Sequence, residues 1–142
     1  MSIDDQIDNY INSLPEIKVH DMRRIHEMIC AIAPGVRLWY LDGKDEQGKV
    51  VSNPNIGYGY QEMVYANGSS KPFYRVGISA NTTGISVYIL GLSDKTYLAR
   101  TYGATIGKAT VTGYCIKFKG LDQINLSELQ KAAEDGLLPR DI

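Results

Sequence analysis

At 142 residues, with 44% hydrophobic and 22% charged side chains, the chain has the size and composition of one globular domain with its own core. A net charge of −1 supplies no basic field to neutralise phosphates, which argues against a nucleic-acid partner. No apolar run approaches the ~20 residues that span a bilayer, and the acidic start Met1-Ser2-Ile3-Asp4-Asp5 lacks the order of a signal peptide, so a cytoplasmic setting is expected.

Ile3, Ile7, Tyr10, Ile11 and Leu14 recur at helical spacing, with Ser2 as N-cap and Asp4 and Asp5 in the first turn. Pro15 opens a second helix that reads to Ala33, with Val19, Met22, Ile25, Ile29 and Ile32 on one stripe and Ala33-Pro34-Gly35 as its stop. Leu38–Leu41 reads as a short strand before a polar loop over 42–55. Strands then read over Ile56–Tyr65, Phe73–Ala80 and Ile85–Leu90, separated by the turns Ala66-Asn67-Gly68-Ser69-Ser70 and Asn81-Thr82-Thr83-Gly84. A short helix over Ser93–Tyr102 ends at Gly103, and a strand follows at Tyr114–Phe118. In the last helix Asn125 is the N-cap, Glu128 completes a capping-box pattern, Ile124 and Leu129 form a hydrophobic staple, and Gly136 and Pro139 mark the end. This order predicts one α+β domain over 1–142, an antiparallel sheet packed against N- and C-terminal helices with its other face available.

Few residues carry recognisable chemistry. Gly103-Ala104-Thr105-Ile106-Gly107-Lys108-Ala109 falls short of a phosphate loop: its glycines are too close, Ala109 replaces the metal-binding hydroxyl, and a helix precedes it. It reads as a glycine turn into a strand, with Lys108 a single cation. His20 and His26 lie six apart on one helix, too far round to chelate one metal, and read as solvated positions. Cys30 and Cys115 have no CxxC partner and read as reduced packing residues. Asp4, Asp5 and Asp8 form an acidic edge of oxygen ligands suited to a hard cation such as Fe²⁺, or simply a helix-dipole complement. No activated nucleophile or acid–base pair stands out, so the chain reads as non-enzymatic.

Ten tyrosines against two phenylalanines point to partly wet aromatic surfaces. Strand alternation puts Tyr58 and Tyr60 on one face and Gly57 and Gly59 on the other, and in-strand glycines mark close approach of another element. Tyr58, Tyr60 and Arg75 are expected to border one concave surface near Trp39. With Tyr88 and Lys108 they would suit a small anionic or planar ligand. A buried arginine needs a partner, so Arg75 should either meet Glu62 or face a wet groove.

Taken together, these segments resemble the YdhG-like family, whose activity is unassigned. Ile7-Asp8-Asn9-Tyr10-Ile11-Asn12-Ser13-Leu14-Pro15 is similar to its "yIasLP" start, Trp39 to its tryptophan, and Ile56-Gly57-Tyr58-Gly59-Tyr60 to its "VGFGxY" strand. Tyr74-Arg75-Val76-Gly77-Ile78-Ser79 with Ile85-Ser86-Val87-Tyr88-Ile89 resembles its "VGFS…LTLYI" pair, Ile106-Gly107-Lys108 its "LGK", and Cys115-Ile116-Lys117-Phe118-Lys119-Gly120-Leu121 its "CLYVKRL". The chain departs from the pattern where Ala80-Asn81-Thr82 replaces a basic turn, where Thr112-Gly113-Tyr114 replaces a glycine-lysine, and where Tyr40 follows the tryptophan. The resemblance implies a frataxin-like sandwich, and some members are linked to iron delivery. Three readings result: a small-ligand binding module, a frataxin-like iron chaperone using Asp4, Asp5 and Asp8, and a protein-interaction domain. A homodimer is left open.

Overall fold

The computed structural model describes residues 1–138. Helix α1 (Ile3–Asn12) begins at Ser2, whose Oγ accepts from the Asp5 N–H at 3.1 Å while the Asp5 carboxylate accepts from the Ser2 N–H. This reciprocal box satisfies amides that the helix leaves orphaned. Helix α2 (Glu16–Ile32) follows directly from Pro15.

The strands are β1 (Leu38–Leu41), β2 (Asn55–Tyr58), β3 (Gln61–Val64), β4 (Ser70–Phe73), β5 (Val76–Asn81), β6 (Gly84–Ile89), β7 (Ala109–Val111) and β8 (Cys115–Phe118). Six of them form one antiparallel sheet in the order β1-β2-β5-β6-β8-β7, while β3 and β4 form a separate two-stranded ribbon. Helix α3 (Tyr97–Tyr102) precedes β7, and α4 (Leu126–Leu137) closes the described chain. The α+β class, the antiparallel pairing and the helices at both termini match the sequence reading. Among the described residues no helix is long and apolar enough to cross a membrane.

One face of the sheet is the core. Ile56, Tyr58, Val76, Ile78, Val87, Ile89 and Ile116 alternate inward, against Ile7 and Ile11 of α1, Met22, Ile25 and Ile29 of α2, and Leu129, Ala132 and Ala133 of α4. Tyr10 adds a polar tie, its hydroxyl accepting the Ala80 N–H at 3.0 Å. Tyr97 and Tyr102 both donate to the buried Asp135 carboxylate and fasten α3 to α4.

Four boundaries differ from the sequence reading. The strand expected over Ile56–Tyr65 is two strands, because Gly59 sits at φ +87°, a left-handed conformation that ends one ladder and starts another. The strand expected over Phe73–Ala80 is likewise split between β4 and β5. The helix expected from Ser93 starts at Tyr97, since Asp94 Oδ1 accepts from both the N–H and the hydroxyl of Thr96 and holds a turn there. Gly136 lies inside α4 rather than ending it. A Cβ there would come within 2.8 Å of Ile89 and of Val76, so glycine lets the helix close onto the sheet. Asn125 is the N-cap, as read. Glu128 instead sits 3.1 Å from the Lys131 ammonium. Pro139 lies outside the described residues.

The second sheet face is covered in part by the ribbon. Tyr74 leaves the end of β4 and lies flat on Gly57 and Gly77, where an added Cβ would come within 2.6 Å of its ring. Its hydroxyl donates to Asn55 Oδ1 at 3.0 Å. The glycines that sequence alone marks as a close approach are the bed for this ring.

Candidate functional site

The expected ligand surface does not assemble as written. Tyr58 has no exposed surface and belongs to the helix-facing core, whereas Tyr60 is 44% exposed beyond the Gly59 turn. The turn rotates the chain between them, so the two tyrosines share no face. Arg75 meets neither Glu62 nor a groove. Its Nε donates to the Gly136 carbonyl at 2.8 Å and its Nη2 to Gly91 at 3.3 Å, so it caps the last turn of α4 and ties it to the loop after β6. Glu62 accepts from the Tyr60 hydroxyl instead. Tyr88 does share the Trp39 face, in the cross-sheet row Trp39, Gly57, Gly77, Tyr88. Three strand spacings, about 14 Å, separate them, with Tyr74 between. Lys108 is exposed beside β7 at the opposite sheet edge, about 24 Å from β1.

A different constellation forms around Trp39. Its indole Nε1 donates to the Gly59 carbonyl at 2.7 Å, which fixes the ring on the turn. Phe73 meets Trp39 edge-on at 6.2 Å and stacks on Tyr74 at 4.2 Å. Arg37, one residue ahead of β1, lies with its guanidinium 4.2 Å from the indole centre and 5.3 Å from the Tyr60 ring. Stacking of this kind costs an arginine none of its in-plane donors. Among the described residues no carboxylate or carbonyl engages that guanidinium. The result is a shallow aromatic ledge with one oriented, unpaired cation. The signal was available in the sequence: Arg37 and Trp39 are two apart, so extending the first strand by one residue puts them on one face.

Grooves of about 740, 630 and 540 Å³ lie elsewhere: between α2 and α4 around Met28, Ile32 and Leu126; beside Lys18, Thr83 and Lys119; and beside Gln6, Tyr40 and Pro54.

His20 is exposed, as read, but His26 is half-buried and bonded. The Tyr58 phenol oxygen lies 2.7 Å from His26 Nδ1; burial keeps the phenol protonated and no other acceptor among the described residues bonds to it, so its hydrogen is assigned to Nδ1 and the ring proton to Nε2, which faces Cys30 Sγ at 3.9 Å. Burial, and then the Arg23 charge, hold His26 below its ordinary pKa; burial raises the Cys30 thiol. Cys30 and Cys115 are both free thiols.

The acidic edge is largely committed. Asp5 belongs to the α1 capping box, and Asp8 pairs with Arg23 at 3.0 Å. Among the described residues no group of three histidine, cysteine, aspartate or glutamate side chains converges for a metal ion.

No family model, no curated protein and no solved structure matches the chain.

Proposed function

We propose that the protein is a non-enzymatic binding module whose ledge of Arg37, Trp39, Tyr60 and Phe73 takes an anionic group carried on a planar body. The observation that carries this reading is the Arg37 guanidinium, which lies over the indole 4.2 Å from its centre and has no carboxylate or carbonyl partner among the described residues. A planar fork with its donors turned outward matches a carboxylate or phosphate in bidentate fashion, and the flanking rings offer apolar area to the rest of the ligand. Because the aromatic contacts orient the fork before binding, little rotamer entropy remains to be lost. The iron-carrier reading has less behind it, since two of its three carboxylates already serve the fold.

The test is calorimetric titration with planar carboxylates and aromatic phosphates, on the parent and on Arg37→Gln. The expected result is saturable binding by the parent and a loss of at least tenfold in affinity in the variant, with its melting temperature unchanged. Binding that is indifferent to Arg37, or no binding across the panel, overturns the reading.

A further inference from the structure

Among the described residues there are four strand edges, two on the main sheet and two on the ribbon, and three of them carry the devices by which proteins blunt an edge. Strand β7 is only three residues long. Strand β4 holds Lys71 and Pro72, and β3 holds Glu62. Strand β1 is Leu-Trp-Tyr-Leu, with no charge, proline or bulge inside it; Arg37 stands just ahead of it, but its guanidinium is drawn onto the Trp39 face of the sheet and away from the edge.

The hydrogen-bond phase shows which groups this edge exposes. The Gly59 N–H donates to the Arg37 carbonyl at 2.8 Å, and the register pairs Leu38 with Tyr58 and Tyr40 with Ile56. Bonded and non-bonded pairs alternate along an antiparallel ladder. Arg37, Trp39 and Leu41 therefore bond inward to β2, and the N–H and C=O groups of Leu38 and Tyr40 point outward. Among the described residues no loop or side chain bonds to those groups.

We propose that β1 pairs with β1 of a second copy of this chain, antiparallel about a two-fold axis at Trp39, so that two six-stranded sheets become one. In this register Leu38 of each copy faces Tyr40 of the other, and each facing pair exchanges both of its bonds. Self-pairing is favoured over a foreign strand for two reasons. The segment is apolar along its length and the register sets Arg37 opposite Leu41, so no like charges meet. The two-fold is also closed, so one interface removes both unguarded edges at once. The axis stands perpendicular to the sheet and keeps equivalent faces together. The two Trp39 rings thus lie side by side, with an Arg37 at either end of a doubled ledge. That last consequence rests on the ledge reading above, but the pairing itself does not.

The experiment measures mass by light scattering and sedimentation from low micromolar to near-millimolar protein, together with amide exchange at Leu38 and Tyr40. The expected result is a concentration-dependent doubling of mass, with both amides becoming protected as the dimer forms. Tyr40→Pro removes an outward N–H and should be monomeric, whereas Tyr40→Ala shortens the side chain, keeps the N–H and should still dimerise. A monomeric parent throughout, or a dimer in which both amides exchange freely, overturns the pairing. So does a folded Tyr40→Pro that dimerises like the parent. Should Tyr40→Pro not fold, the exchange data on the parent decide. A dimer that binds none of the anionic probes removes the ledge reading and leaves the pairing standing.

Discussion

The Tyr58 phenol donates to His26 Nδ1 across 2.7 Å, joining a tyrosine with no exposed surface to the middle of α2. Protonating His26 would turn that acceptor into a donor and leave the phenol hydrogen without a partner in an apolar setting. Because burial lowers the folded pKa of His26 from 6.5, the unfolded chain takes up the proton more readily than the fold. Stability contributed here is complete above pH ~6.5 and falls as the pH drops from there toward the folded value. Thermal melts between about pH 7.5 and 5 should show this decline. His26→Gln should be less stable than the parent at the upper end and nearly flat across the window. A His26→Gln protein that declines as steeply as the parent would show that another group is responsible.

Gly57→Ala places a methyl inside the Tyr74 ring and should cost about 1–3 kcal/mol, the usual penalty of overpacking a filled site. Gly77→Ala should behave alike. The double variant Gly57→Ala/Tyr74→Ala should cost less than the sum of its parts, since the ring that clashes is gone. Chemical denaturation of the four proteins completes the cycle, and strict additivity would contradict the packing described.

Arg75→Ala leaves the Gly136 and Gly91 carbonyls without their charged donor and should cost about 1.5–3 kcal/mol. Arg75→Lys should recover only part of this, because one ammonium on a flexible stem does not replace two bonds from a planar fork. Affinity for anionic probes at the ledge should be unchanged in Arg75→Lys. A selective loss of probe binding in that variant, without loss of stability, would return Arg75 to a ligand-binding role.

For the acidic edge, the expected outcome concerns stability before metal. An Asp4/Asp5/Asp8→Ala triple variant should lose about 1 kcal/mol in metal-free buffer, because Asp5 closes the α1 capping box. Added Fe²⁺ should move neither its melting temperature nor that of the parent. A rise confined to the parent would favour the iron-chaperone reading.

Periodicity made the helices, the core stripes and the antiparallel sheet legible, because the burial that fixes them repeats at 3.6 or 2 residues. The ladder breaks at Gly59 and around Tyr74 were not legible, since a glycine in a strand-like run fits either an extended conformation or a left-handed one. That ambiguity propagated to the site. Treating 56–65 as one strand put Tyr58 and Tyr60 on the same face and brought Arg75 forward as the cation, when the turn separates the tyrosines and it is Arg37 that lies beside Trp39 and Tyr60. The role of Arg75 depends on the carbonyl of Gly136, a residue 61 positions away, and no local pattern encodes such a contact.

The ribbon of β3 and β4 shares no ladder with the six-stranded sheet, and the Tyr74 ring on its glycine bed is a principal hold. Such an arrangement separates two units of cooperativity. Because the ribbon shares no strand pairing with the main sheet, amide exchange in β3 and β4 is expected to be faster than in β2, β5 and β6. Trp39 belongs to β1 of the sheet and Arg37 stands just ahead of it, while Phe73 belongs to the ribbon and Tyr60 leads into it. The ledge therefore spans the seam between the six-stranded sheet and the ribbon, and a ligand bound across it, as proposed above, would fasten the ribbon to the sheet.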